Sequence, residues 1–267
     1  MTVPSLVTDT SHREITVITI NQPQRKKNAV DAATAKELYE AIVSFEADAT
    51  QKVCVLTGAG NTFCAGADLH SVSQKRDNVT TSNWTQFGTD GSLTAYCPEP
   101  VISAVAGCAV AGGLELSLLA DLRVVEEDAV FGVFYRRWGV PLIDGGMVRL
   151  QAIIGLGRAL DMILTGRPGG AQEALGMGLA NRVVPKGESL QEALKITNQL
   201  IAFPELCLKT DRRSCYYSAF DASSFSDAMS NEFDTGSKVI EAEAIAGAAR
   251  FSKGSGRHGS FKDFSKL

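Results

Sequence analysis

The sequence predicts an α/β fold with a helical C-terminal region, and three observations support this class. A strand, a helix and a second strand follow one another between residues 14 and 57. A short β-branched run at 101–105 then breaks at a glycine and leads into a helix-forming run at 114–120. From Met147 onward the periodicity is mainly helical. Strands that alternate with helices in this way indicate βαβ units and a mostly parallel sheet.

The N-terminal part contains the first of these units. Residues 14–21, EITVITIN, alternate apolar and threonine side chains, which is typical of a half-buried strand. Asp31 fits the N-cap position of a helix that runs to about Ala49, because the apolar residues between them recur at helical spacing. Residues 52–57 predict the second strand, and the glycine-containing loop 58–66 follows it.

The same patterns predict the later elements. Short strands are expected at 122–126, 130–132 and 182–184, and helices at 148–154, 159–164, 171–175, 189–201, 204–217, 222–233 and 238–251. Residues 71–92 are polar with little periodicity, which predicts a mobile surface segment able to close over a ligand. We therefore divide the chain into a core domain, 1–200, and a C-terminal helical region, 201–267.

Composition favours a globular protein that acts on small molecules. The 267 residues are 45% hydrophobic and 21% charged, and the net charge of −4 gives no support to nucleic-acid binding. The six cysteines form no C-x-x-C pair, so we expect reduced thiols and a reducing compartment. The three histidines have no neighbour at ligand spacing, so no metal site is predicted.

The segment 101–121, VISAVAGCAVAGGLELSLLAD, is the centre of the predicted site. It reads as strand, turn and helix, with Gly112 and Gly113 just before the helix-forming run. The first N–H groups of a helix have no partner inside it, so an oxygen such as that of a polarised carbonyl can bind there. Glu115 is the one ionisable side chain in an otherwise apolar first turn. Its burial would be costly without a hydrogen-bonding or proton-transfer role, which makes it a candidate acid/base.

The residues alone leave three other interpretations of this segment. A nearly uncharged run of this length could span a bilayer, although its glycines and the central Glu115 argue against that. The glycines could instead permit close packing of a buried helix, with Glu115 in a salt bridge. A dinucleotide-binding loop is the third alternative, and the lack of a G-x-G-x-x-G sequence argues against it.

Two segments, GNTFCAGADL at 60–69 and AGCAVAGGLEL at 106–116, resemble the signature segments of the crotonase (enoyl-CoA hydratase/isomerase) superfamily. The likeness covers nearly the whole chain. It implies a crotonase-like fold of repeated ββα units, with a C-terminal helical trimerisation region and a homotrimer or a dimer of trimers. It also implies an acyl-CoA thioester substrate, with no cofactor beyond the coenzyme A of the substrate. The charge and the sequence pattern lead us to expect neither nucleic acid nor membrane as a partner.

The resemblance assigns roles to individual residues. The backbone N–H groups of Ala67 and Gly112 would bind the thioester oxygen as it becomes an enolate. Glu115 matches the first of two glutamates with which hydratases of the family activate water. The residues implied in CoA binding are Arg25 and Lys26 near the phosphates, and Ala65, Asp68 and Leu69 at the adenine.

The second glutamate is where this chain departs from the hydratase pattern. The matching phrase is FGVFY, which ends in Tyr135, and a tyrosine with its ordinary pKa of about 10 is a poor base at neutral pH. Asp144 is either an acidic substitute, close to where some isomerising relatives carry one, or an Asx-turn or N-cap residue. We predict hydration of a 2-trans-enoyl-CoA, with Asp144 or Tyr135 assisting Glu115. Double-bond isomerisation and acyl-CoA binding without catalysis are the alternatives.

The last three residues, Ser265, Lys266 and Leu267, form a peroxisomal address that an import receptor reads. This tail predicts a peroxisomal protein of fatty acid metabolism, and a cytoplasmic protein where the address is not read.

Overall fold

The computed structural model describes residues 7–23, 27–73 and 97–254. The chain divides into two compact units, the first ending at Lys195 and the second starting at Ile196. Arg25, Lys26 and the tail 265–267 lie outside the described residues, as does most of the polar segment 71–92. The predictions that rest on them therefore stay predictions.

Two β-sheets form the frame of the first unit. The strands are β1 (Val7–His12), β2 (Ile15–Ile20), β3 (Val53–Gly58), β4 (Val101–Val105), β5 (Cys108–Val110), β6 (Leu122–Glu126), β7 (Val130–Gly132), β8 (Gly169–Gly170) and β9 (Arg182–Val184). The larger sheet has the order β1-β2-β3-β4-β6-β9, and all its neighbours are parallel except β1 and β2. The smaller sheet has the order β5-β7-β8.

Helices follow most of the strands. They are α1 (Ala32–Ala47), α2 (Leu69–Ser73), α3 (Gly112–Leu119), α4 (Gly146–Ile154), α5 (Leu156–Thr165), α6 (Ala171–Gly176), α7 (Ser189–Leu200), α8 (Glu205–Tyr216), α9 (Phe225–Val239) and α10 (Ile245–Ser252). Asp31 caps α1 as predicted, because its carboxylate accepts a hydrogen bond from the Thr34 N–H at 2.9 Å. A 3-10 turn, Phe134–Trp138, follows β7.

Two consecutive ββα units produce the repeat that the resemblance implies. In each unit the first strand, β4 or β6, joins the larger sheet, and the second, β5 or β7, joins the smaller one. Helix α3 follows the first pair of strands, and α4 follows the second. The predicted α/β class and crotonase-like fold are confirmed.

The core of this unit is made of apolar side chains from both sheets and the helices packed on them. Phe63, Phe131, Ile18, Ile102 and Leu114 are fully buried. Burial of each such side chain stabilises the fold by about 1.5–3 kcal/mol relative to exposure. Within the described ranges no helix is long and apolar enough to cross a membrane.

Hydrogen bonds between the loop after β3 and strand β5 bring the two signature segments together. The Cys64 N–H donates to the Cys108 carbonyl at 2.9 Å, and the Val110 N–H donates to the Cys64 carbonyl at 3.1 Å. Cys64 and Ala109 thus form a parallel bridge. The start of α3 therefore lies beside residues 64–67.

The second unit is helical, and one detail of its prediction is wrong. Helix α9 runs to Val239 and continues through a π-helical turn, Ile240–Ala244, into α10. The expected break between residues 233 and 238 is absent, because Gly236 lies inside α9, where a glycine costs only about 1 kcal/mol.

Candidate active site

The backbone amides of Ala67 and Gly112 lie next to each other. A β-carbon added to Gly112 would lie 3.5 Å from the Ala67 nitrogen, and one added to Gly66 would lie 2.7 Å from the Gly112 nitrogen. Neither N–H donates a hydrogen bond to another described residue. Gly112 is the first residue of α3, so its N–H is one of the donors that a helix leaves unused. The two predicted oxyanion donors are therefore adjacent and available to a ligand.

The residues on either side of Ala67 are fixed by the loop before α1. The Val30 N–H donates to the Gly66 carbonyl at 2.8 Å, and the Asp68 N–H donates to the Val30 carbonyl at 2.9 Å. Asn28 is fully buried, and its side-chain amide donates to the carbonyls of Ala59 and Thr62 at 2.8 and 2.7 Å. These bonds leave the N–H of Ala67 itself on the side away from Val30.

The turn before α3 holds a strained backbone conformation. Ala111 has φ 54° and ψ −123°, a region that non-glycine residues rarely occupy, and it is fully buried. Its N–H donates to the Gly132 carbonyl at 2.8 Å, and its carbonyl accepts from the Leu114 N–H at 2.9 Å. Such a conformation costs about 1–3 kcal/mol, and it directs the Gly112 N–H out of the helix start.

Glu115 lies one turn further along α3 and is only 2% exposed. Its Oε1 accepts hydrogen bonds from the N–H groups of Asp144 and Gly146, both at 3.0 Å. Both lone pairs of Oε1 are thus engaged, and Oε2 is the oxygen that can carry a proton. Within the described residues Glu115 forms no salt bridge, so the helix-packing alternative with a paired Glu115 is not observed.

The pKa of Glu115 is raised to about 7, mainly by burial and secondly by the nearby Asp144 carboxylate. The two N–H donors and the Arg149 guanidinium oppose this rise. Gly146 permits the close approach, because a β-carbon there would lie 2.4 Å from the Glu115 Cγ. A carboxyl group with a pKa near neutrality can both give and take a proton at physiological pH.

Asp144 precedes α4 in the loop after the 3-10 turn. Burial raises its pKa to about 6. Helix α4 has Gly145 at its N-cap and no side-chain cap, so the N-cap role considered for Asp144 is not observed. Because the charge of Asp144 also acts on Glu115, the two carboxyl groups titrate as a pair, which holds about one proton between pH 6 and 7.

Tyr135 is buried in the 3-10 turn, and its hydroxyl points at the loop that holds Ala67. Its single hydrogen is shared between two acceptors, the nearer Ala67 carbonyl and the Ala65 carbonyl at 3.3 Å. Burial raises the pKa of Tyr135 well above its ordinary value, so the phenol is neutral. In the described part of the chain no hydrogen bond joins it to Glu115 or Asp144.

Three of the predicted CoA-binding residues are described. The Ala65 N–H donates to the Lys27 carbonyl at 3.1 Å, and Leu69 is the first residue of α2. Asp68 is buried, and its carboxylate accepts from the His70 N–H at 3.0 Å and the Ser71 hydroxyl at 2.7 Å. Asp68 thus caps α2, and the CoA-binding roles of the three residues stay predictions.

Two residues of the site, Gly146 and Arg149, were not singled out from the sequence. The glycine pair 145–146 could have indicated a close approach to the backbone, but no local pattern shows which side chain approaches. Arg149 lies one turn into α4, and a β-carbon on Gly145 would lie 2.4 Å from its Nη1. Its charge acts on Glu115 from there.

Comparisons with known proteins agree with the fold. A sequence model described as enoyl-CoA hydratase/isomerase matches residues 10–231. An enoyl-CoA hydratase of Mycobacterium tuberculosis is 35% identical over 74% of this chain and 75% of its own length. A carnitinyl-CoA dehydratase of Escherichia coli is 35% identical over 72% of this chain and 73% of its own length.

Solved structures of enoyl-CoA hydratases are also similar to this chain. That of an enoyl-CoA hydratase from Mycobacterium marinum superposes with a TM-score of 0.84 at 30% identity, covering 94% of this chain and 96% of that one. An enoyl-CoA hydratase structure from Geobacillus kaustophilus gives a TM-score of 0.85 at 28% identity, with 93% and 95% covered.

Proposed function

This chain belongs to the enoyl-CoA hydratase/isomerase family, and we propose that it adds water across the double bond of a 2-trans-enoyl-CoA. The observation that carries the proposal is the buried Glu115, held through one oxygen beside Asp144 and one helical turn from the Gly112 N–H. Coenzyme A enters as part of the substrate, and no separate cofactor takes part in the proposed reaction.

The two backbone donors activate the thioester. Hydrogen bonds from the N–H groups of Ala67 and Gly112 to the thioester oxygen withdraw electrons from C3, the carbon that water attacks. As the C3–O bond forms, negative charge moves onto the thioester oxygen, where the fixed donors stabilise it. A donor of this kind contributes about 2.7–4 kcal/mol to lowering the barrier.

The two carboxyl groups move the protons. Glu115 has the higher pKa and holds the shared proton near neutral pH, whereas Asp144 is ionised. Asp144 takes one proton from the water as its oxygen bonds to C3, and Glu115 delivers the proton on Oε2 to C2. After the reaction Asp144 is protonated and Glu115 is ionised, and proton exchange with solvent restores the starting state. The sum is one water added and no net change in the enzyme.

A second candidate is double-bond isomerisation in an enoyl-CoA. The position of Tyr135 favours it, because its hydroxyl is engaged with backbone carbonyls and no carboxylate stands where family hydratases carry the second glutamate. Isomerisation needs only one group that removes a proton from one carbon and returns it to another. Glu115, with a pKa of about 7, has the required property.

Crotonyl-CoA in H₂¹⁸O tests the proposal against its rivals. A hydratase removes the absorbance of the conjugated enoyl thioester and yields a 3-hydroxyacyl-CoA that contains one ¹⁸O. When 3-butenoyl-CoA is supplied in the same water, an isomerase instead forms the conjugated 2-enoyl-CoA, raises this absorbance and incorporates no ¹⁸O. Binding measured by calorimetry without either change would identify a non-catalytic acyl-CoA-binding protein. Glu115→Gln is the control for a contaminating activity.

Assembly as a homotrimer or a dimer of trimers is part of the proposal. Leu156, Leu160 and Leu164 recur every four residues on α5, and all three are exposed. An apolar stripe of this kind is typical of a surface covered in an assembly. Light scattering on the purified protein should give three or six times the 28.4 kDa chain mass, and a monomer at micromolar concentration would contradict it.

Peroxisomal import through residues 265–267 stays a prediction, and the relatives named above are bacterial. A fluorescent fusion with a free C-terminus, expressed in a eukaryotic cell, should be punctate. Deleting the three residues should make it diffuse, and an unchanged distribution would contradict import by this tail.

A further inference from the structure

We propose that Tyr135 is a positioning residue that orients and electrostatically supports the oxyanion N–H of Ala67, and that it takes no part in proton transfer. The inference rests on the proposed function, because it assumes that the Ala67 N–H binds the thioester oxygen. Tyr135 stands where family hydratases carry a glutamate that activates water, and its proposed role is a different one.

The first argument is the arrangement of hydrogen bonds around Ala67. On one side of the loop, the Gly66 carbonyl and the Asp68 N–H are both bonded to Val30. Tyr135 bonds the Ala65 and Ala67 carbonyls, which precede and follow the peptide unit that carries the Ala67 N–H. The loop is thus held from two sides, and together the two contacts set the direction in which this N–H points.

The second argument is electrostatic. The Ala67 carbonyl belongs to the same residue as the donating N–H, so its negative end lies close to the charge that develops on the thioester oxygen. In a buried site this carbonyl would repel the enolate, because the effective dielectric constant there is low. The Tyr135 hydroxyl places a positive hydrogen against that oxygen and reduces the repulsion.

The third argument is that the group in this place must be a donor. A carboxylate has only acceptor oxygens, and it would meet the two carbonyl oxygens of Ala65 and Ala67 with like partial charge. The phenol of Tyr135 is 9% exposed, and burial raises its pKa, so it stays protonated throughout the working pH range. A neutral, permanent donor suits this contact, and the proton-transfer task is left to Glu115 and Asp144.

Infrared difference spectroscopy on a bound, unreactive thioester tests the inference directly. Butyryl-CoA with a ¹³C-labelled carbonyl contains no double bond to hydrate, and its C=O stretching frequency falls as hydrogen bonds to the oxygen strengthen. We expect a downshift on binding to the wild type, a smaller downshift in Tyr135→Phe, and the wild-type value in Glu115→Gln. Tyr217→Phe, which removes a hydroxyl bonded to Asp227 in the second unit, is the matched control.

Steady-state kinetics provide a second measurement. Tyr135→Phe should lower kcat by about 2- to 13-fold, the range expected for one hydrogen bond. KM should be nearly unchanged, since the contact matters most when charge is on the oxygen. The shape of the kcat–pH profile should be that of the wild type, because the titrating pair is intact. Loss of a limb of that profile would overturn the inference and make Tyr135 a proton-transfer group.

A second variant, with a side chain of nearly the same size as tyrosine, separates the effect of the hydrogen bond from an effect of misfolding. 3-Fluorotyrosine incorporated at position 135 is a stronger hydrogen-bond donor than tyrosine and should increase the carbonyl downshift. A full wild-type downshift in Tyr135→Phe, or no change with fluorotyrosine, would overturn the positioning role and leave the proposed function standing. A wild-type complex without any downshift would instead remove the oxyanion site and the proposed function with it.

Discussion

The two halves of the candidate site consist of different chemical groups. The half proposed to bind the thioester oxygen consists of backbone N–H groups, at Ala67 and Gly112, and its geometry depends on the absence of side chains around them. The half proposed to move protons consists of two side chains, Glu115 and Asp144, whose pKa values depend on burial. The first half is therefore sensitive to an added methyl group, and the second to a changed functional group.

The largest effect is expected from replacing the carboxyl group of Glu115 with one that cannot exchange a proton. Glu115→Gln keeps the size of the side chain and an oxygen for the N–H groups of Asp144 and Gly146, but it cannot exchange a proton. We expect kcat to fall by about 10²- to 10⁴-fold, with affinity for a thioester within a few-fold of the wild type. Turnover and calorimetric binding check this, and full activity would show that Glu115 is not the proton donor.

Asp144→Asn tests whether the proton half acts as a unit. If Asp144 is the base, the loss should be comparable to that of Glu115→Gln, and the double variant should be little worse than either single one. In the wild type, kcat should rise with pH near 6 and fall above about 7, since the reaction needs one proton on the pair. Asp144→Asn should lose the acid limb of its residual activity. Additive losses in the double variant would contradict a pair that acts as a unit.

A methyl group added beside the two backbone donors should lower kcat nearly as much as the loss of a functional group. Gly66→Ala would place a β-carbon 2.7 Å from the Gly112 nitrogen, and blocking one oxyanion donor lowers kcat by about 10²- to 10³-fold. Gly66 has φ +84°, so alanine also strains the chain.

Gly155→Ala is the matched control, because Gly155 has φ +82° and a β-carbon there would touch nothing within 4 Å. It should lose similar stability in a thermal melt and keep its activity. Equal losses of activity in the two variants would mean that backbone strain, and not the blocked amide, explains Gly66→Ala.

The smallest effect concerns stability and its dependence on pH. The pKa of Glu115 is raised by folding, so the folded state binds more protons than the unfolded state between about pH 4.5 and 7. The wild type therefore loses stability as pH rises through this range, and Glu115→Gln loses less, because only Asp144, whose pKa burial also raises, remains to release a proton. The variant should gain up to about 3 kcal/mol relative to the wild type between pH 5 and pH 8. Urea unfolding at both pH values checks this, and a pH-independent difference would contradict it.

The sequence predicted the backbone half better than the proton half. Gly112 at the start of a helix and Ala67 in the partner segment are fixed by short local patterns, and the structure places them side by side. Glu115 could be predicted as buried because it stands alone in an apolar turn. Its hydrogen bonds, however, come from residues about thirty positions later, and no local pattern encodes such a pairing.

The irregular and edge elements were also missed, for physical reasons. Strand β1 is polar at most positions and forms the edge of the sheet, so it lacks the alternation that marks a half-buried strand. Strand β5 has only three residues, which is too short for any period to show. The contacts of Tyr135 depend on a loop some seventy residues earlier, and only the fold brings the two together.

Helix α3 carries one donor from each half, the Gly112 N–H and the Glu115 carboxyl, about 4.5 Å apart along its axis. In the proposed mechanism, the spacing between the group that polarises the thioester and the group that protonates carbon is therefore set by one rigid element. The other partners of Glu115 lie on the separate stretch 144–149. A directed-evolution library restricted to that stretch can change which proton moves, and hence which reaction is catalysed, while the machinery that activates the thioester is inherited intact.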